Sequence, residues 1–272
     1  MERHTLSFFF KELKEAQMLR VVDLNFHRGK RKIIDNVSLS IKAGEFVAIV
    51  GKNGEGKSTL VDLLAGISKG QHKEISYNDT LIEEMSLEEL GRIRALLSQK
   101  SNLQFSMTVY EFILLAKRSK SSLKSDDFTY LDLIIEEFDL EKFIDREISS
   151  LSGGEFQRVI LAKTVFQLYP FSSEKSAFLF LDEPMSAMDL EVQQKMMRIL
   201  KSLVAKYNLS IIVVLHDLNQ VSHYCDRVLI LSQGKICINA DPDEAFTVSN
   251  LKKFFNLEVM ISKVENKKVI LY

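Results

Sequence analysis

The stretch FVAIV-GKNGEGKS-TL, residues 46–60, limits what this chain can fold into more than any other. Phe46, Val47, Ala48, Ile49 and Val50 are an apolar run rich in β-branched residues. Residues 51–58 fit G-x-x-x-x-G-K-[ST], and Leu60, Leu63, Leu64 and Ile67 follow at helical spacing. Strand, phosphate-binding loop and helix are predicted in succession. Gly51, Gly54 and Gly56 permit a tight turn with its N–H groups facing inward, and the following helix adds the positive end of its dipole. Such a nest holds polyphosphate. Lys57 is placed to reach the outer phosphates as a point charge, Ser58 to offer a hydroxyl to a divalent cation, and Thr59 to touch the innermost phosphate.

An antiparallel β-layer is predicted ahead of the loop. It comprises strand-like residues 19–26, a basic turn over 27–32, and alternation through Val37, Leu39 and Ile41 to a turn at Ala43-Gly44. Ile75, Ser76 and Tyr77 can return to that layer. Residues 81–95 read as a charged helix with Glu83, Glu84, Glu88 and Glu89 in solvent, and 96–99 as a buried strand ending in Gln99. From 101 to 150 the character turns helical, with a Ser/Lys-rich connector over 118–125 and a T-x-x-E capping box at Thr108 and Glu111. Ser152 and Glu155 repeat that spacing at the head of a helix running to about Leu168. The N–H groups of Gly153 and Gly154 stand at its positive end, which is either a second anion site or an ordinary helix start.

Two later strands end abruptly in polar residues. Residues 178–181 lead into Asp182-Glu183, and 211–215 into His216-Asp217, with a helix from Asp189 to about Tyr207 between them. Open α/β sheets bind ligands at the carboxyl ends of their strands, so three strands are expected to converge on one edge. A hairpin over 228–238 turning at Gln233-Gly234 comes next, then a short helix near 251–255. A terminal hairpin pairs 257–263 with 269–272.

A chain of 272 residues has room for one large α/β domain, and a net charge of −1 gives no footing for nucleic acid. Cys225 and Cys237 lack metal-ligand spacing and read as free thiols of a reducing compartment. No run approaches the roughly 20 apolar residues that cross a bilayer, so any membrane connection is expected through a partner. Residues 1–17 read either as an amphipathic helix, with Leu6, Phe9, Phe10 and Leu13 on one face, or as a leader ahead of Met18.

In order, GKNGEGKS, Gln99, LSGGE, FLFLDEP, SAMD and His216 resemble the ATP-binding subunit of an ATP-binding cassette (ABC) transporter, over about residues 19–234. The resemblance implies an α/β P-loop cassette with a mostly parallel core sheet, an antiparallel β subdomain and a helical subdomain at about 101–168. On this reading residues 1–17 are an extension, 18–272 the ATP-binding domain and 240–272 its tail. It implies ATP and Mg²⁺ as cofactors. Gly51, Asn53, Gly54, Gly56, Lys57, Ser58 and Thr59 resemble the Walker A loop. Asp182, with Ser58 and Gln99, would serve the metal, Glu183 would be the general base, and His216 and Gln99 would complete the catalytic set. Ser152, Gly153 and Gly154 resemble the signature that closes on the nucleotide of an opposite subunit, and Ser186 to Asp189 the D-loop between sites. Asp189 is therefore counted with the nucleotide contacts.

A signature that meets a partner's nucleotide implies a head-to-tail homodimer with ATP sandwiched in it. The resemblance further implies integral-membrane permease subunits, a periplasmic or extracellular substrate-binding protein, and a location on the cytoplasmic face of the inner membrane. Lys52 and Glu55 depart from the family pattern; Glu55 has to point away from the phosphates if affinity is to survive. Met185 and Met188 replace the usual threonine and leucine and are expected to be tolerated. Arg28 falls where the family stacks an aromatic ring on adenine, and a guanidinium plane can also stack on a base. The likeness is greatest to ATPases of iron-siderophore, heme and vitamin B12 importers, and among these to the heme branch. Its cues are Arg28, RALLSQ, LDEPMSAMDL and VLHDLNQVSHYCDRV. The alternatives are the ATPase of an exporter or lipid-handling complex, and a non-transport ABC ATPase, which is expected to carry a long coiled coil or a second cassette.

Overall fold

A computed structural model describes residues 18–98, 106–117, 125–172, 174–264 and 267–272. The expected helix in 1–17, Gln99 and most of the 118–125 connector lie outside the described residues. The sheet at the centre has the order β10-β9-β3-β8-β7-β6. Its members are β3 (Phe46–Val50), β6 (Arg94–Leu97), β7 (Ala177–Asp182), β8 (Leu209–Val214), β9 (Arg227–Ser232) and β10 (Lys235–Ala240). Every pairing is parallel except that of β10 with β9.

Strands β3, β7 and β8 are buried at every position, which is why they read as unbroken apolar runs. Alternate side chains serve two cores. Ala48, Val50, Leu179, Leu181, Ile211 and Val213 face one, and Val47, Ile49, Phe178, Phe180, Ile212 and Val214 the other. The first core is completed by helices α3 (Val109–Leu114), α4 (Ser125–Glu137), α5 (Gly153–Phe166) and α6 (Leu190–Lys206). The second is closed by α1 (Lys57–Leu64) and by an antiparallel sheet of order β2-β1-β4-β5. That sheet joins β1 (Met18–Arg28), β2 (Arg31–Lys42), β4 (Glu74–Tyr77) and β5 (Thr80–Leu81). Tyr77 fixes the two layers by donating its buried hydroxyl to the Leu64 carbonyl at the end of α1.

Several boundaries differ from expectation. The basic stretch 27–32 is not a broad turn: Arg28 pairs with Arg31, and the turn is Gly29-Lys30. The helix expected over 81–95 is shorter, α2 (Leu87–Ile93), because Ser86 stops the chain with a capping box closed by Glu89. Glu89 is thus a helix cap. Arg94 and Ala95 already belong to β6, and Ser98 lies past its end. The short helix α8 (Pro242–Ala245) is an addition to the expected elements; it precedes α9 (Val248–Phe255). The terminal hairpin forms as β11 (Met260–Val264) and β12 (Lys267–Leu271). Its inner strand lies along α7 (Leu218–Tyr224), and the buried Ile270 joins the first core. No helix among the described residues is long and apolar enough to cross a membrane.

Candidate functional site

Strands β3, β8 and β7 are parallel neighbours, so the segments beyond their carboxyl ends emerge on the same edge. After β3 comes the phosphate loop. Gly51 lies hard against β9: a Cβ there would stand 2.3 Å from the Leu231 carbonyl oxygen. Gly56 caps α1 with φ 100°, a left-handed conformation glycine adopts freely, and its Cβ would meet Ile33 at 3.0 Å. Lys57 folds back across the loop and donates from Nζ to the carbonyls of Gly51 (2.8 Å) and Lys52 (3.0 Å). Burial lowers its pKa, while the charges of Glu183, Asp182 and Glu55 hold it up. Ser58 and Asn53 are exposed and Thr59 half-buried.

Asp182 ends β7 as a buried carboxyl. Its pKa is raised, first by burial and then by the negative charges of Glu183 and Asp62; a hydrogen bond with the Ser58 hydroxyl and the Lys57 charge work against this. Its Oδ1 is buried with no hydrogen-bond partner. Buried polar atoms are rarely left so. A bare carboxylate oxygen beside a serine hydroxyl is the donor set a hard divalent cation accepts, so these residues fit Mg²⁺. Consecutive strand residues point to opposite faces, yet Asp182 and Glu183 both act on Lys57. The chain manages this by turning at Glu183, whose φ of 51° is left-handed for a residue with a side chain, a cost of about 1–3 kcal/mol typical of functional sites. The turn delivers Glu183 Oε1 to within 2.6 Å of Nε2 of His216, just past β8.

Arg28 is exposed at the end of β1, and its charge pulls down the pKa of Asp62 on α1, which burial otherwise raises. Glu55 is turned away onto the β9–β10 turn, where its carboxylate accepts the N–H of Gln233. Met185 and Met188 are buried.

Ser152 caps α5 with the reciprocal box expected, its hydroxyl accepting from the Glu155 N–H and Glu155 accepting from the Ser152 N–H. Sequence does not disclose how this helix end is held. A Cβ on Gly154 would come within 2.9 Å of the Ala187 carbonyl oxygen, so the helix sits directly on the segment between β7 and α6. Gln157 clasps that segment with both ends of its amide, donating to Ser186 Oγ (2.9 Å) and accepting from the Ala187 N–H (2.8 Å). Asp189 caps α6 by accepting the Val192 N–H at 2.9 Å. Nothing in sequence marks Gln157 beyond its place five residues after the cap.

Known proteins are similar to this chain. A family model described as ABC transporter matches residues 34–186. The hemin import ATP-binding protein HmuV of Escherichia coli O157:H7 is 36% identical over 247 residues, covering 90% of this chain and 95% of that protein. The vitamin B12 import ATP-binding protein BtuD of Photobacterium profundum is 32% identical over 237 residues, covering 87% and 93% respectively. Among solved structures, a metal-chelate type ABC transporter in an inward-facing conformation superposes with a TM-score of 0.75 at 24% identity, covering 93% of this chain and 97% of that one.

Proposed function

The chain belongs to the ABC transporter family as an ATP-hydrolysing cassette, and on that premise we propose that it powers import of heme, or of a related iron chelate, through a separate membrane permease. The observation that carries the catalytic part is the convergence of Lys57, Ser58, Asp182, Glu183 and His216 on one sheet edge. The heme part is supported by similarity to hemin import proteins, with vitamin B12 import proteins near in identity.

In this reading ATP lies in the loop, with Lys57 exchanging its carbonyl partners for phosphate oxygens. Asp182 and Ser58 hold Mg²⁺, which when bound neutralises charge on the phosphates. Glu183 orients a water against the terminal phosphorus and takes up its proton as the bond to the leaving ADP oxygen breaks. His216, hydrogen-bonded to Glu183, fixes the direction of that carboxylate. Positioning and charge neutralisation do most of the work in phosphoryl transfer. Asn53, Gly54 and Thr59 complete the phosphate contacts, Arg28 stacks on the base, and Gln99 serves the metal with Asp182 and Ser58.

The Ser152, Gly153 and Gly154 end of α5 and the adjoining Ser186 to Asp189 segment face the nucleotide of a second copy in a head-to-tail dimer. A substrate-binding protein delivers cargo from outside, and the cassette works at the cytoplasmic face. The test is uptake by the chain reconstituted with its permease in liposomes, titrated with binding protein carrying heme, ferric siderophore or vitamin B12. ATP turnover and uptake stimulated by heme alone are expected. Stimulation by one of the other ligands would reassign the cargo, and indifference to all of them would favour an exporter.

A further inference from the structure

The β11–β12 hairpin is joined to the segment carrying His216 by bonds that the proposed chemistry leaves unexplained. Its outer edge runs along α7, the helix that begins two residues after His216. Asn219 lies in the first turn of that helix and commits its whole side-chain amide to one residue of β12. Its Nδ2 donates to the Ile270 carbonyl (3.1 Å), and its Oδ1 accepts the Ile270 N–H (2.8 Å). The amide therefore pairs with the strand edge as another strand would. One turn further along α7, Ser222 Oγ donates to the Lys268 carbonyl at 3.4 Å. Lys268 and Ile270 are two apart, so their carbonyls share the outer edge of β12.

The first turn of α7 is held at its other donors too. Asp217 Oδ1 accepts the N–H groups of Asn219 (2.8 Å) and Gln220 (3.2 Å). The first N–H groups of this helix start are thus met by its own cap, and the hairpin holds it through the Asn219 side chain. The hairpin is itself pinned from the far side, where Lys268 Nζ donates to the carbonyls of Asp243 (2.7 Å) and Phe246 (2.9 Å). A continuous path runs from the 243–246 segment through β12 and Asn219 to His216 and Glu183.

We propose that the β11–β12 hairpin is a positioning element for His216, fixing through Asn219 the first turn of α7 and with it the direction from which the imidazole meets Glu183. Asn219 touches no reacting atom. The inference rests on the reading of Glu183 and His216 as the hydrolytic pair.

The test uses the full chain with Asn219→Leu, which deletes both bonds, Asn219→Asp, which keeps only the acceptor, and Ile270→Pro, which removes the strand's N–H together with a buried side chain. Turnover of ATP is expected to fall about tenfold in Asn219→Leu, the worth of one to two net hydrogen bonds, and less in Asn219→Asp. Affinity for a fluorescent ATP analogue should stay within about twofold, because the phosphate loop is on another strand. A kcat within about twofold of wild type in Asn219→Leu overturns the proposal, as does a fall in kcat matched by an equal loss of nucleotide affinity. If Ile270→Pro does not fold, the Asn219 variants carry the test with the main chain intact. A wild-type chain without ATP turnover would defeat the hydrolytic reading instead. Hydrogen exchange at the amide of Gln220 then still decides whether the hairpin holds α7: about tenfold faster exchange in Asn219→Leu is expected, and unchanged exchange refutes it.

Discussion

Asp182 ends a strand whose side chains are all buried, and its carboxylate enters the site with one oxygen unpartnered. Burial raises its pKa, so the ionised form is the one the fold disfavours. The cost is absent below the unfolded carboxyl's pKa, grows as pH rises, and is complete above the folded value. Asp182→Asn is therefore expected to stabilise the nucleotide-free protein at pH 7, by about 2–4 °C in melting temperature for each kcal/mol relieved, while abolishing Mg²⁺-dependent turnover. Calorimetry at pH 7 and pH 4 checks the sign, since the gain should shrink at the lower pH. Lys57→Ala should lose nucleotide binding altogether, read by equilibrium binding of a fluorescent analogue, because its ammonium is the cation folded across the loop. At this scale much is legible: Lys57, Ser58 and Asp182 announce themselves by spacing to a strand. The left-handed turn at Glu183 does not, since nothing in E-P following an apolar run specifies which edge a carboxylate will serve. Glu55 is visible as a misplaced charge, but its partner Gln233 is 178 residues away.

Among the elements, those with purely local signals are legible in sequence. The capping boxes at Thr108 and Ser152 depend on a three-residue spacing and form as expected. The equivalent box at Ser86 is hidden because it sits among Glu83, Glu84, Glu88 and Glu89, which together resemble one solvated helical face. Contacts between elements are not legible. Gly154 looks from sequence like an open N–H for a ligand, but within this chain it also admits the Ala187 carbonyl. Gly154→Ala is accordingly expected to displace the 186–189 segment even without a partner, seen as faster hydrogen exchange at Ala187. Gln157→Ala, losing two hydrogen bonds to the same segment, should cost about 1–2 kcal/mol in urea unfolding. Asp189→Ala should cost about 1 kcal/mol as a lost cap, and Asp189→Ser should restore most of it. ATP turnover that fell in Asp189→Ser despite restored stability would separate a nucleotide role for this residue from its capping role.

For the molecule as a whole, the mostly parallel sheet is implied by the family resemblance, whereas the alternation of strands with helices and the convergence of strand ends follow from apolar runs that end abruptly in polar residues. The hairpin's grip on α7 does not, since Asn219 and Ile270 are 51 residues apart and neither carries a motif. In the proposed head-to-tail dimer the α5 terminus acts on the nucleotide of a second copy. The Glu183→Gln chain should therefore sediment as a dimer with ATP and as a monomer without it. The most direct measurement is ATP hydrolysis by the Glu183→Gln chain against wild type, with bound nucleotide quantified in the same samples. Loss of turnover by about 10² to 10⁴-fold with ATP still bound is the predicted result. Turnover within about threefold of wild type would contradict the assignment of Glu183 as the base on which the proposed mechanism turns.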